Sequence, residues 1–144
     1  MSQARLQHAR IERDDDAIAW LTLDVADAST NTLSSEVLGE LEQALDVLEG
    51  DPPAALVIAS GKSGFIAGAN VQELARLETA EEARALIERG QALMDRIAGA
   101  AWPTIAPVRG HCTGWGLALA PACRYRITDN DPGTRLGLPE VPLG

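Results

Sequence analysis

Gly110-His111-Cys112-Thr113-Gly114-Trp115-Gly116-Leu117-Ala118 is the stretch on which the reading of this chain turns. It is a glycine-spaced bend between an apolar run, Thr104 to Val108, that reads as a strand and a short apolar helix that ends near Pro121. Glycine at such a junction lets the backbone approach a ligand closely. The first turn of the helix leaves N–H groups without partners, facing any negative charge. Two such groups can form an oxyanion hole. A lone glycine bend more often only packs a helix onto a strand, so the surrounding sequence decides.

Upstream, Ala54 to Ser60 is a near-continuous apolar run with Leu56, Val57 and Ile58 at its centre, which predicts a strand covered on both faces. Before it, Val37, Leu38, Leu41, Ala44, Leu45 and Leu48 recur at helical spacing. They predict a helix from about Ser34 to Glu49, stopped by Gly50 and Pro52-Pro53. A short helical turn, Val71 to Leu77, precedes a capping box at Thr79 and Glu82. The helix that follows runs to about Gly99, with Ala83, Leu86, Ile87, Gly90, Leu93, Met94 and Ile97 as its stripe. Alternation in Leu6–Arg13 and Ala17–Asp24 predicts a hairpin turned by Asp14-Asp15-Asp16, whose consecutive carboxylates read as solvated turn residues rather than metal ligands. Arg124 to Thr128 predicts another strand. Strands alternating with helices make the fold class α/β, and 144 residues without repeat or linker fit one domain.

Twelve basic and twenty-one acidic side chains give a net charge of −9, which disfavours nucleic acid and anionic membranes as partners. No apolar run approaches the roughly 18 residues of a membrane helix. Met1 to Arg10 lacks the apolar segment of a secretory signal, so a cytoplasmic location is expected. Cys112 and Cys123 form neither a metal pair nor a redox motif and read as reduced core thiols. His8 and His111 stand apart with no neighbouring ligands, so no metal site is expected, and His111 reads as a packed loop residue.

Two more glycine-spaced stretches complete the context: Ser63-Gly64-Phe65-Ile66-Ala67-Gly68-Ala69-Asn70-Val71 and Leu136-Gly137-Leu138-Pro139-Glu140-Val141-Pro142-Leu143-Gly144. In this order the three resemble the crotonase superfamily of enoyl-CoA hydratases and isomerases, whose loops read F-x-A-G-A-D, G-x-x-x-G-G-G-x-E and G-x-P-E-x-x-L-G. The likeness is greatest to the hydratase/isomerase domain of bifunctional fatty-acid oxidation proteins. It implies a spiral of ββα turns. Family members continue with another glycine-rich loop, helices that close the acyl pocket, and surfaces that build trimers and hexamers. The resemblance therefore implies that residues 1–144 are truncated at the C-terminal end.

The substrate implied is an acyl-CoA thioester, coenzyme A entering as part of it, with no separate cofactor. By motif position the thioester oxygen would lie between the backbone N–H groups of Ala69 and Trp115. Phe65, Ala67, Gly68, Ala69 and Gly114 would line the CoA site, with Lys62 either a phosphate neighbour or a solvated lysine. Glu140 would exchange a proton with the acyl chain, its pKa suited to acid/base work if partly buried. The chain departs from the pattern in three places. Trp115 replaces the middle glycine and would be strained if that position needs a positive φ. Ala118 replaces the first catalytic glutamate, and Asn70 the loop aspartate. Three expectations follow: a hydratase/isomerase with compromised hydration, a Δ3,Δ2-enoyl-CoA isomerase using Glu140 alone, or a non-catalytic truncated paralogue that binds acyl-CoA weakly or serves as an interaction surface.

Overall fold

In the computed structural model, which describes residues 3–137, the chain opens with an antiparallel ribbon of β1 (Gln3–Arg5), β2 (Ala9–Arg13) and β3 (Ile18–Leu23). Asp14 builds the β2–β3 turn. Its Oδ1 accepts the N–H groups of Asp16 and Ile18, and its Oδ2 accepts the indole N–H of Trp20. The bond from Trp20 is the main reason its carboxyl titrates below the usual range. The acidic triplet is thus a turn device, as its composition suggested.

The chain then continues through α1 (Ser35–Gly50), β4 (Ala55–Ser60), α2 (Val71–Ala75), α3 (Ala80–Ala98), β5 (Thr104–Val108), β6 (His111–Thr113), α4 (Trp115–Ala122), β7 (Tyr125–Thr128) and β8 (Arg135–Gly137). The larger sheet has the order β1-β2-β3-β4-β5-β7, parallel from β3 onward. Each parallel step is made by a helical crossover, as parallel pairing requires. A smaller sheet pairs β6 with β8 in parallel. Sequence periodicity missed β1, β6 and β8, which are too short to show alternation.

Every residue of the α1 stripe is buried: Val37, Leu38, Leu41, Ala44, Leu45 and Leu48. Ser34 caps the helix, its Oγ accepting the N–H of Val37 at 3.1 Å. These side chains meet Leu21, Leu56, Ile58, Ala106 and Val108 in the core. Val57, between Leu56 and Ile58, points the other way and stands outside that cluster. The expectation that this strand is covered on both faces holds at its centre, where Leu56, Val57 and Ile58 are all buried, although the main core cluster lies on the face of Leu56 and Ile58. The registers align Trp20 with Val57, Val57 with Ile105 and Ile105 with Tyr125 across the opposite face, and Trp20 and Tyr125 there are exposed.

The stripe predicted for α3 is buried only in its second half, at Gly90, Leu93, Met94 and Ile97, while Ile87 is exposed. The capping box at Thr79 and Glu82 forms as expected.

Candidate active site

Three glycine stretches, far apart in sequence, become neighbouring ribbons. Phe65 donates its N–H to the His111 carbonyl at 2.9 Å, and Thr113 donates its N–H to the Ile66 carbonyl at 3.0 Å. Ile66 is thereby bridged to Cys112, and Cys112 in turn pairs with Leu136 on β8. Gly137, which opens the third motif, stands opposite Thr113. Glu140 lies outside the described residues.

The first two stretches touch backbone to backbone. Gly114 has φ +53 and Gly68 has φ +121, both in the region that side chains avoid. A Cβ built on Gly114 would lie 3.0 Å from the Gly68 Cα, so the contact leaves no room for a side chain. Ala69 and Trp115 each follow one of these glycines in the chain. Among the described residues neither N–H has a hydrogen-bond acceptor. On the outer side, Ala67 donates to the Asn31 carbonyl and Leu33 to the Gly68 carbonyl, each at 2.8 Å, so the first loop is held from both edges.

Trp115 is not strained. Among the described residues, positive φ outside glycine occurs only at Ala17 and Asp27, and the positive-φ residues of the second loop are Gly110 and Gly114. The indole of Trp115 lies over Gly90 of α3, where an added Cβ would meet its ring carbons at 2.5 to 3.0 Å. A glycine in α3 makes the seat for the residue that departs from the family pattern. Ala118 follows one turn along α4 and packs, half-buried, against the core. Asn70 caps α2, its Oδ1 accepting the Glu73 N–H at 2.9 Å, which an aspartate would do equally well.

Other expectations change. The Phe65 ring is 1% exposed and belongs to the core, so it supports the loop from within and lines no cleft. Lys62 is neither solvated nor free. Its ammonium donates to Asp24 Oδ1 and to the Ala28 carbonyl, both at 2.7 Å. His111 is an exposed strand residue, not a packed one. Cys112 and Cys123 are buried free thiols, as expected, each pushed up to about 11 by burial. No group of described residues could hold a metal ion.

Beside Ala69 and Asn70 opens a cleft of about 640 Å³, bounded by Val25–Ala28 and by Glu73 and Arg76 of α2. Nothing in the residue pattern pointed to its scaffold. Asn31 is 2% exposed; its Nδ2 donates to the Leu23 and Phe65 carbonyls and to Ser60 Oγ, and its Oδ1 accepts the Val25 N–H. Its only mark in the sequence is an asparagine in a polar loop. Arg76 is exposed at the cleft and has no ion pair among the described residues.

Parallel ribbons meeting at facing glycines, with a cleft beside Ala69, place the chain in a class of proteins. Residues 13–144 match the enoyl-CoA hydratase/isomerase family, and the chain belongs to it. Among curated relatives, the fatty acid oxidation complex subunit alpha of Aliivibrio fischeri is 46% identical over 135 residues, covering 92% of this chain and 20% of that protein. The same subunit of Vibrio vulnificus is 38% identical over 146 residues, covering the whole chain and 20% of its length. The chain therefore spans about a fifth of these relatives. The crystal structure of an enoyl-CoA hydratase from Geobacillus kaustophilus superposes with a TM-score of 0.89 at 28% identity, covering 99% of this chain and 53% of that one. That of the Mycobacterium smegmatis enoyl-CoA hydratase gives 0.87 at 27% identity, covering 95% of this chain and 52% of its own. The crotonase fold is thus the fold of this chain. Among the described residues no helix is long and apolar enough to cross a membrane.

Proposed function

We propose that the chain carries the thioester-holding part of an enoyl-CoA site used in fatty-acid oxidation. The observation that supports this reading is the Gly68–Gly114 backbone contact, since Ala69 and Trp115 follow the two touching glycines and neither N–H has an acceptor among the described residues. Two such donors stabilise the negative charge that develops on a thioester oxygen when a proton leaves the neighbouring carbon. The cleft beside Ala69 takes the coenzyme A portion, with Arg76 as a cation for its phosphates. Lys62 is excluded from that part, because Asp24 already neutralises it.

Within the family's chemistry, Ala118 favours isomerisation over hydration. Adding water across the double bond calls for a second acid/base group, and an alanine moves no proton. A single carboxylate at Glu140 suffices to take a proton from C2 of a 3-enoyl-CoA and return it to C4.

The test is to offer the chain both substrates. It is expected to convert a 3-enoyl-CoA into its 2-enoyl isomer, and Glu140→Gln is expected to lower that rate about 10²- to 10⁴-fold with little change in acyl-CoA affinity. Hydration of a short trans-2-enoyl-CoA is expected to be negligible. Ready hydration would overturn the isomerase reading, whereas acyl-CoA binding with neither reaction would leave a binding protein. Absence of acyl-CoA binding by calorimetry would defeat the proposal as a whole.

A further inference from the structure

The wall of the cleft formed by Val25–Ala28 follows the end of β3 and includes Asp27 in the left-handed region, with φ 56. A non-glycine residue in that region persists only where its surroundings hold it. Three side chains do so: Asn31 Oδ1 accepts the Val25 N–H at 3.0 Å, Lys62 Nζ donates to the Ala28 carbonyl, and His8 Nδ1 accepts the Ala26 N–H at 3.0 Å. His8 is 7% exposed and is the one of the three whose side chain exchanges an acceptor for a donor when it takes up a proton.

The surroundings of the ring assign its tautomer. Nε2 lies 3.3 Å from Glu36 and 3.9 Å from Glu40, both on α1, and the His8 backbone N–H donates to the other oxygen of Glu40 at 2.8 Å. The neutral ring therefore keeps its proton on Nε2, toward the carboxylates, and offers Nδ1 as an acceptor. The other charged groups around it are Asp27, Glu73 and Arg76 across the larger cleft, and Arg10 and Asp24 in a smaller cavity, where Lys62 holds Asp24. None of them supplies an acceptor to the Ala26 N–H.

We propose that His8 is a positioning residue that makes the cleft wall sensitive to pH, so that the neutral ring holds Ala26 in place for coenzyme A and the protonated ring releases it. Protonation can occur only at Nδ1. It turns the acceptor into a second donor facing the Ala26 N–H, and neither then has a partner. The sign follows: the contact is present at the alkaline end and is lost as pH falls. The proposal rests on the reading of the cleft as a coenzyme A site.

Two measurements test it. The first needs no ligand: nuclear magnetic resonance of the Ala26 amide in the intact chain, followed during acidification together with the His8 ring signals, which report its protonation directly. The amide proton is expected to move in step with the His8 ring, and in His8→Asn, whose Oδ1 stands where Nδ1 was but does not titrate, it is expected to stay still. An Ala26 amide that ignores the His8 titration would overturn the proposal. The second is free coenzyme A affinity over the same acidification by calorimetry. The wild-type chain is expected to lose about five- to tenfold more affinity on acidification than His8→Asn, the worth of one hydrogen bond. The difference removes the titration of coenzyme A's own phosphates. Equal losses in the two proteins would overturn the link to binding. If no coenzyme A binds at any pH while the Ala26 amide follows His8, the site reading fails and the positioning of the loop stands.

Discussion

An indole laid against a glycine is a contact that neither residue makes alone, and the two residue types at 115 and 90 explain each other. Sequence reasoning flagged Trp115 as an intruder at a position where relatives of its pattern carry glycine, and expected strain there if the position needed a positive φ. The strain is absent because Gly114, one residue earlier, takes the positive φ. The seat on Gly90 was not legible, since a glycine within a helical stripe looks like any small core residue. A methyl group at Gly90 would overlap the ring, which costs about 1–3 kcal/mol in a packed site. Against that, alanine gains about 1 kcal/mol over glycine within a helix. Gly90→Ala is therefore expected to lower stability by about 1 kcal/mol in urea titrations. In a Trp115→Ala background the same change should stabilise the protein, because only the helix term remains. Stabilisation in both backgrounds would show that the indole moves aside freely. His8 and Asn31 were equally hidden, for a different reason: their roles come from partners more than fifteen residues away or from burial, which one-dimensional spacing does not record.

Among the elements, α1 was readable in full because both of its sides are sorted, one toward the sheet and one toward water. The longer α3 is split. Its first turns are fixed by the Thr79 capping box, in which Thr79 Oγ1 accepts the Glu82 N–H at 3.1 Å and Glu82 accepts in return from Thr79 and Glu78. Its last turns are fixed by burial and by Arg96, which reaches Asp46 and Glu49 of α1. The Glu49 hydrogen bond is the main cause that raises the Arg96 pKa. Loss of an N-cap side chain costs about 1 kcal/mol. With its first half unburied, α3 should absorb that cost by local fraying. Thr79→Ala is accordingly expected to speed amide hydrogen exchange from Ala83 to Ile87 while leaving Leu93 to Ile97 protected. Uniform loss of protection along the helix would show that α3 unfolds as one unit. The short strands β6 and β8 illustrate the opposite limit of legibility: three residues each, and defined only by what they lie beside.

At the scale of the molecule, the α/β class and the spiral order were both present in the sequence, the first in periodicity and the second only through the resemblance. Global stability should also carry the mark of the two buried thiols. Burial raises Cys112 and Cys123 to about 11, with the Thr104 hydrogen bond and Arg126 opposing the rise at Cys123. In the unfolded chain a thiol ionises near its ordinary value of about 8.5. As pH rises past that value the unfolded state sheds protons first, so stability falls between about pH 9 and about pH 11. The Cys112→Ala/Cys123→Ala protein is expected to show a flatter dependence of its urea midpoint on pH over this interval. Parallel curves would mean that the thiols are not sealed from water in the folded state.

The row formed by Ile66, Cys112 and Leu136 also sets an order in time. The hairpin of β2 and β3 closes between near neighbours, a rapid local event. The row instead closes long loops, whose entropy is lost before any contact rewards it. During synthesis the hairpin can form while most of the chain is still unmade, but the row cannot be completed until Leu136 has left the ribosome. Refolding from urea should therefore restore the ribbon of β2 and β3 in an early phase and the pairing of β6 with β8 only in the last one.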